Sequence, residues 1–415
     1  MNRGQRGSEA RRGAARAERE RQAQRAQRYA QRLRREGRPV PGQAAEPRAS
    51  AATPPLYEAE VVPGLEEFAW AEVRSLAGGR LMARPGAQAG TLCFPYRGDA
   101  RALISLGTVT AVYRIHRFEV PRPRALLGEE HLQTLLRQIQ SVLALQPPSS
   151  FRSFRFGAAG VSSRVFARLG EELERRTGLR SVPGEGDLLI RLRRAASAPV
   201  GPGGDEAASS IGFEVLIRLT PRPLAARAWR VCNLPGALNA TVARAMVGLT
   251  APSAHDRFVN LTCGSGTLMV ERLALGPARL VLGGDRDPEA LRCARANLAA
   301  AGCGRRSCLV RWDAGHLPIP DASVNVLCAD LPYGMLVGSR RENERLYPEL
   351  LAEATRVAVG GAAMVLITHA IPLLDQALTP HRAHWTMERR FEVQVPFKSG
   401  TLKPQVTLLR RTRRR

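Results

Sequence analysis

Residues 324–334 read Val-Asn-Val-Leu-Cys-Ala-Asp-Leu-Pro-Tyr-Gly (VNVLCADLPYG), an apolar strand pattern that ends in a carboxylate, a proline, an aromatic ring and a glycine. Similar apolar runs lie on either side of it, separated by helical patterns such as residues 288–301 and 344–357. Alternating strands and helices are typical of a doubly wound parallel sheet, which we predict from residue 223 onward. The other predicted strands are RFVNLTC (257–263), ARLVLGGD (278–285), SCLVRWDA (307–314) and AAMVLITHA (362–370).

Two further apolar segments near the end of the chain predict how this sheet closes. FEVQVPF (391–397) and QVTLLRR (405–411) are joined through Gly400 and have the pattern of an antiparallel hairpin. With the five parallel strands they give a seven-stranded α/β sheet.

The part of the chain before residue 223 has a different pattern. Residues 56–120 predict short strands and an amphipathic helix, and residues 121–222 predict helices and strands that include a helix closed by Gly178. Residues 1–55 contain almost no large apolar side chain, so we predict a disordered basic tail there.

The chain carries a large positive charge. It has 62 Lys and Arg residues against 37 Asp and Glu residues, for a formal net charge of +25. Residues 1–50 hold 14 arginines and five acids, so the excess extends into the rest of the chain. Such a chain attracts polyanions, nucleic acid first and an anionic membrane second, because counterions are released on binding. A solvated, solubilising surface is the alternative explanation.

Several classes of protein are disfavoured by the same sequence. No apolar run reaches the ~18 residues of a membrane span, and the N-terminus lacks the apolar segment of a secretory signal. Its Arg- and Ala-rich start has the composition of a mitochondrial transit peptide, but its five glutamates argue against one. The seven cysteines form no CxxC pair. We predict a cytoplasmic protein with reduced thiols, no metal site and no membrane contact.

Polar turns that follow successive strands predict a nucleoside-binding site at one edge of the sheet. In NLTCGSGT (260–267), Gly264 and Gly266 let the backbone approach a ligand closely. Asp285 comes about 20 residues later, where an acid accepts both hydroxyls of a ribose. Asp313 follows the third strand, where a carboxylate could accept a hydrogen bond from an adenine amino group. Taken alone, each turn is also compatible with an ordinary strand-to-helix connection.

The end of the opening stretch suits methyl transfer to an exocyclic amine. Such an amine is a poor nucleophile, because its lone pair is delocalised into the ring. Two acceptors at its hydrogens can turn the nitrogen toward a methyl donor, and Asp330 and the Leu331 carbonyl are placed to be those acceptors. Pro332 fixes the backbone, and Tyr333 offers a flat face to a base that has left its stack. This chemistry needs neither a metal nor a covalent nucleophile.

With these motifs the chain resembles the class I S-adenosylmethionine-dependent methyltransferases that carry a [DN]-[LP]-P-[YFW] motif. YEAEVVPGLEEFAWAEV (57–73) is similar to the ferredoxin-like segment of the THUMP-domain RNA methyltransferases, and FRSFRFGAAG (151–160) with the helix after it is similar to their THUMP domain. The resemblance implies a ferredoxin-like domain at 56–120, a THUMP RNA-binding domain at 121–222 and a methyltransferase domain at 223–415. Within this group the chain resembles most the guanine-N2 methyltransferases of tRNA.

The resemblance also implies which residues do what. S-adenosylmethionine would be the cofactor, and RNA, most of all tRNA, the partner of a monomeric protein, bound through the THUMP domain and the basic tail. Asp330, Leu331, Pro332 and Tyr333 would carry the target guanine. The residues implied for the methyl donor are Leu238, Asn239, Asn260, Cys263, Gly264, Gly266, Asp285, Asp313 and Ala314.

One residue departs from the family pattern. The first motif of the family usually opens with an acid, as in D-P-x-C-G-S-G-T, whereas this chain has Asn260 followed by Leu261. An asparagine lacks the charge that would attract the donor's ammonium. The sequence therefore leaves a second hypothesis, an RNA-binding protein of the same fold with weak or absent catalysis. Ribosomal RNA is an alternative substrate for the same chemistry.

Overall fold

The described part of the chain contains two large sheets. One is built from residues before the connecting segment 219–239, and the other from residues after it. The computed structural model describes residues 54–78, 84–86, 89–195, 212–332, 339–397 and 400–413. All of the predicted disordered tail before residue 54 lies outside these ranges, and the chain forms a single unit from Pro55 onward.

The N-terminal half contains short helices and strands. Their bounds in chain order are β1 (Leu56–Val61), α1 (Glu66–Leu76), β2 (Arg84–Pro85), β3 (Thr91–Pro95), β4 (Val109–Phe118), α2 (Glu129–Leu143), β5 (Ser153–Gly157), α3 (Arg164–Thr177), β6 (Arg180–Ser181), β7 (Leu188–Arg194) and β8 (Phe213–Arg218), with short 3-10 helices at Ala100–Ser105 and Pro123–Leu127.

Among the described residues of this half, eight strands form one mixed sheet in the order β2-β3-β1-β4-β8-β7-β5-β6. The apolar face of α1 includes the buried Ala69 and Val73, as its spacing predicts. Gly178 ends α3 in the left-handed conformation, which also confirms its prediction. Because β4 pairs with β8, the sheet is continuous across the predicted boundary at residues 120/121. The positions of the two N-terminal domains therefore stay a prediction.

The C-terminal half alternates strands and helices. Their bounds are α4 (Ala240–Gly248), β9 (Arg257–Asn260), α5 (Thr267–Ala274), β10 (Leu280–Asp285), α6 (Pro288–Ala300), β11 (Cys308–Arg311), β12 (Val324–Asp330), α7 (Arg340–Val357), β13 (Ala358–Thr368), α8 (Ile371–Leu378), β14 (Trp385–Glu392), β15 (Val395–Phe397), β16 (Gly400–Leu402) and β17 (Gln405–Arg411), with 3-10 helices at Gly304–Arg306 and Thr379–His381.

Within the described part of this half, seven strands form the predicted sheet, in the order β11-β10-β9-β12-β13-β17-β14. The first five are parallel, and β17 and β14 add antiparallel to β13. The strand order runs outward in both directions from the neighbours β9 and β12. Ligands of open α/β sheets bind beside such a switch point, at the carboxyl ends of the strands.

The antiparallel addition is confirmed, but the segment FEVQVPF divides between two strands. Its first two residues end β14, and residues 395–397 pair with β16 in a separate two-stranded sheet. The chain turns between them because Val393 donates its N–H to Pro404 O (3.0 Å) and Gln394 donates its N–H to Pro63 O (2.9 Å) in the N-terminal half. That tertiary contact is not readable from local periodicity.

A buried ion cluster joins the two halves. Glu271 on α5 is 1% exposed and pairs with Arg227 (2.8 Å) and Arg244 (3.2 Å). Arg227 also donates to Gly107 O (2.5 Å) in the loop before β4. Buried charges need such partners, so these contacts fix the start of the C-terminal half against the first sheet.

None of the helices in the described ranges is both long enough and apolar enough to cross a bilayer.

Candidate active site

A cavity of about 520 Å³ opens at the carboxyl ends of β9, β10 and β12. Its position is the one predicted for a nucleoside site from the polar turns. The sequence-predicted residues that line it are Leu238, Asn260, Cys263, Gly264, Asp285, Asp313, Ala314, Asp330, Leu331 and Pro332.

Two of the predicted site residues do not line the cavity. Asn239 caps α4, with its side-chain oxygen accepting from Thr241 N (2.8 Å). Gly266 caps α5 and lies behind the cavity wall, where an added Cβ would be 3.2 Å from the Ala294 side chain. Both support the wall rather than line it. Tyr333 lies outside the described residues.

The glycine turn between β9 and α5 is shaped by backbone rather than by side chains. Gly264 and Gly266 have φ values of +49° and +80°, in the left-handed region that residues with a side chain rarely adopt. An added Cβ at Gly264 would meet no atom within 4 Å, so packing does not explain the absence of a side chain there. A bare backbone in the left-handed conformation at a cavity wall can approach a ligand closely.

Asp285 holds this turn in place from the neighbouring strand. Its Oδ2 accepts from Gly264 N (2.9 Å) and its Oδ1 accepts from Asp287 N (3.1 Å). Each carboxylate oxygen has a second lone pair for a ligand hydroxyl. Asp287 itself caps α6, with its side-chain oxygen accepting from Glu289 N (2.9 Å).

The turn after β11 is held in place by the ring of Trp312. Trp312 donates from Nε1 to Leu261 O (2.9 Å), and its ring packs directly on Gly284, where an added Cβ would lie 2.2 Å from a ring carbon. Asp313 accepts from Gly315 N (2.9 Å). The turn after β11 is therefore tied to the turns after β9 and β10.

Asn260 is buried at the end of β9. With its amide oriented so that the nitrogen faces acceptors, Nδ2 donates to the carbonyls of Cys328 (3.2 Å) and Thr262 (3.3 Å). A carboxylate at this position would have no hydrogen for those two carbonyls unless it were protonated. These two hydrogen bonds explain an asparagine at position 260 independently of ligand binding.

Asp330 ends β12 at the cavity. Its backbone carbonyl accepts from Thr262 Oγ1 (3.0 Å), and the next residue, Leu331, donates its N–H to Ile367 O (2.9 Å). The turn is thereby fixed to β9 and β13. Burial raises the pKa of the Asp330 carboxyl to about 7, because the charged form loses hydration in the cavity.

The raised pKa of Asp330 predicts a pH dependence. If this carboxylate accepts a hydrogen from the substrate amine, only its ionised form is active. We expect kcat/KM to rise about tenfold per pH unit below pH 7 and to level off above it. Rates measured from pH 5.5 to 9 test this, and a profile that is flat across pH 7 would contradict it.

Sequence reasoning missed a hydroxyl chain behind the Asp330 turn. Tyr347 on α7 is fully buried; its hydroxyl contacts Pro332 O (2.8 Å) and Thr368 Oγ1 (2.7 Å). Burial raises the pKa of Tyr347 to about 12, so the hydroxyl stays protonated and can donate. It holds the carbonyl of Pro332 from outside the cavity.

We expect Tyr347→Phe to slow catalysis without weakening donor binding. The ring keeps its packing, but Pro332 O loses its donor and the turn gains freedom. The expected loss in kcat is about tenfold, equal to about 1.4 kcal/mol. Single-turnover rates and calorimetric affinity for S-adenosylhomocysteine separate the two effects. Equal losses in both would mean that Tyr347 supports the whole cavity instead.

The rim of the cavity at residues 234–238 is fastened by contacts that the sequence did not reveal. Arg230 donates to Leu238 O (2.8 Å) and to Thr267 Oγ1 (3.0 Å). The prediction of seven reduced thiols is wrong, because Cys232, two residues before this rim, forms a disulfide with Cys293 on α6. The two cysteines are 61 residues apart, and spacing alone does not disclose such pairs.

The first three turns of α7 form a further wall of the cavity that sequence reasoning missed. Ser339 and Glu342 form a capping box at its start. The α7 residues on the cavity are Glu342, Asn343, Arg345, Leu346 and Glu349.

No group of three or more potential metal ligands occurs in the ranges that the structure describes.

Comparison with known proteins identifies the C-terminal half. Residues 227–399 match the model of the UPF0020 family, described as RMKL-like, methyltransferase domain. These residues therefore form a methyltransferase domain. The methyltransferase domain thus contains all the strands and turns that build the cavity.

Two curated relatives extend the comparison. The domain is similar to the human tRNA (guanine(6)-N(2))-methyltransferase THUMP3, at 30% identity over 190 residues. That match covers 43% of this chain and 37% of the relative, so the chain spans well under half of that relative's length. A tRNA (guanine(6)-N2)-methyltransferase of Thermus thermophilus is 29% identical over 324 residues, covering 78% of this chain and 92% of the relative.

A solved structure extends the likeness beyond the methyltransferase domain. TrmN from Thermus thermophilus superposes with a TM-score of 0.64 at 25% identity, covering 86% of this chain and 99% of TrmN. The predicted class I methyltransferase fold, with its seven-stranded sheet and antiparallel addition, is confirmed.

Proposed function

We propose that this protein transfers a methyl group from S-adenosylmethionine to the exocyclic N2 amine of a guanine in tRNA. One observation carries the proposal. The turn Asp330-Leu331-Pro332 and the glycine turn with Asp285 open into the same cavity of a methyltransferase domain. The tRNA guanine-N2 methyltransferases among the relatives support the choice of substrate.

The cavity walls suit the donor. Asp285 can accept the ribose hydroxyls, and the bare backbone at Gly264 admits the methionine end. Asp313 and Ala314 would flank the adenine, and Leu238 also lines the cavity. Asn260, Cys263 and Gly266 form and support the wall, and Asn239 fixes the helix that follows the rim. When bound, the sulfonium supplies an already activated methyl group.

The residues at the end of β12 prepare the amine. Asp330 and the Leu331 carbonyl would each accept one hydrogen of guanine N2, which turns the nitrogen lone pair toward the methyl group. As the N–C bond forms and the S–C bond breaks, Asp330 takes a proton from the nitrogen. The products are N2-methylguanine and S-adenosylhomocysteine, and the proton leaves to water. Tyr333 would stack on the base. Positioning supplies most of the rate enhancement.

The remaining residues would bind and present the RNA. We assign residues 56–120 to a ferredoxin-like domain and 121–222 to a THUMP domain that grips the acceptor end of tRNA. The tail at 1–55 would add non-specific phosphate contacts, in line with the net charge of +25. A monomer acting in the cytoplasm, where it meets tRNA, is the arrangement that we propose.

Donor binding separates this proposal from the RNA-binding alternative raised by Asn260. Calorimetry with S-adenosylhomocysteine is expected to give one site per chain. Tritiated S-adenosylmethionine offered with unmodified tRNA, ribosomal RNA and DNA in parallel is expected to label tRNA. Absence of donor binding would favour the RNA-binding alternative. Label confined to ribosomal RNA would mean that the substrate is ribosomal RNA and not tRNA.

A further inference from the structure

An orphan polar group lies in the wall of the cavity. Asn343 on α7 is 2% exposed, and its carboxamide oxygen is buried without a hydrogen-bond partner among the described residues. In Asn297, by contrast, the carboxamide oxygen accepts from Cys232 N (2.9 Å), and the amide nitrogen donates to the carbonyls of Cys232 and Ser265. Buried polar groups without partners are rare, and each asks for an explanation.

Packing does not explain Asn343. The buried face of α7 runs through Tyr347, Leu350, Leu351 and Ala354, at helical spacing from position 343. Folding alone would favour an apolar side chain at the start of this stripe. An amide is found there instead, at the end of the stripe that reaches the cavity.

The position of Asn343 in the cavity indicates that it lies near the target base. Tyr347, one turn further along the same face, holds Pro332 O in the turn that ends β12. Asn343 is therefore on the side of the cavity formed by Asp330 and Pro332, which also line it. The two N2 hydrogens of guanine are taken by Asp330 and the Leu331 carbonyl in the proposed function. The neighbouring ring N1–H is then a donor that needs an acceptor.

We propose that Asn343 is a specificity-determining residue whose carboxamide oxygen accepts the N1–H of the target guanine. The inference rests on the proposed function and deepens it. Adenine presents an acceptor at N1, so an acceptor in the protein would face it unpaired and reject it. A site built to bond a donor discriminates strongly against analogues that lack it.

The test compares two target bases in the same tRNA, guanine and 2-aminopurine. Both carry the 2-amino group, but 2-aminopurine lacks the N1–H and also the O6 carbonyl. Asn343→Asp keeps the acceptor for N1–H and removes the amide donor that could reach O6, so it separates the two contacts. For the wild type we expect kcat/KM to be about 100-fold higher with guanine. Asn343→Leu should lower the guanine value about 30-fold and leave the 2-aminopurine value within about threefold. The preference for guanine would then nearly vanish. Because the variant and the wild type are compared on the same two bases, any difference in the intrinsic reactivity of the bases cancels.

Three controls make the result specific. Asn343→Asp keeps an acceptor and should retain most of the preference, which covers the case in which the leucine variant folds poorly. Glu344→Ala changes a solvent-facing residue of the same turn and should behave as wild type. The leucine variant should also melt at the same or a higher temperature, because an orphan amide has been removed.

Other outcomes would overturn the inference. Equal losses with both bases would give Asn343 a structural role only. A tenfold loss of S-adenosylhomocysteine affinity with an unchanged base preference would assign it to the donor's adenine. A wild type that binds the donor but methylates no guanine would overturn the proposed function first, and this inference with it.

Discussion

Asp330→Asn is expected to reduce methyl transfer about 10³-fold while leaving S-adenosylhomocysteine affinity within about threefold. The amide has nearly the same shape as the carboxyl group. However, the amide cannot take a proton from the amine, although its oxygen can still accept one hydrogen bond, so the variant tests proton transfer to Asp330. Single-turnover transfer rates and calorimetry measure the two quantities separately.

The same variant should be more stable than the wild type at pH 8. A carboxyl whose pKa is raised by burial opposes folding once it ionises. Its contribution to stability is lost as pH rises from about 4 to about 7. Asp330→Asn removes this dependence, so the urea midpoint should rise at pH 8 and change little at pH 4.

An exposed carboxylate provides the control for Asp330. Asp99→Asn changes a side chain that is 65% exposed in the N-terminal half and should leave transfer unaffected. If Asp330→Asn kept more than a tenth of the wild-type rate, transfer would not need a carboxylate to take the proton. The side chain at position 330 would then act only as a hydrogen-bond acceptor for the amine.

The largest effect on stability is expected from Arg272→Met. Arg272 is fully buried on α5, directly after the glycine turn, and contacts Asp256 Oδ2 (2.8 Å). It also donates to three carbonyls, those of Ser253, Gly276 and Pro277. Methionine fills much of the volume but leaves a buried carboxylate unpaired, which costs about 3–5 kcal/mol. Urea unfolding followed by tryptophan fluorescence measures the loss.

A surface pair shows whether burial is the cause. Arg292→Met breaks the contact of Arg292 with Glu289 on α6, where both side chains are more than 60% exposed. Its expected cost is below about 0.5 kcal/mol. Similar losses for the two variants would mean that Asp256 finds water or another partner once Arg272 is gone.

The sequence predicted the parts of the fold that depend on local pattern. Apolar runs bounded by glycines and acids marked β9, β10 and β12, and the helical pattern at residues 288–301 marked α6. Parallel strands bring their carboxyl ends to one edge, so residues as distant in the chain as Gly264 and Asp330 could be assigned to the same edge from sequence alone.

Other features depend on contacts between distant segments. The break between β14 and β15 arises from the bond of Gln394 to Pro63, and the disulfide joins cysteines 61 residues apart. Tyr347 and Asn343 were missed because helical periodicity marks a buried face without naming what the face meets. One signal was available: an asparagine at the head of an apolar stripe.

Guanine N2 in tRNA is the methyl acceptor on which the proposed function depends. The most direct measurement incubates the protein with unmodified tRNA and S-adenosylmethionine, digests the RNA and identifies the methylated nucleoside by mass spectrometry. We expect N2-methylguanosine, absent when Asp330→Asn replaces the wild type. A methyl group on any other atom, or none despite bound donor, would contradict the proposed reaction.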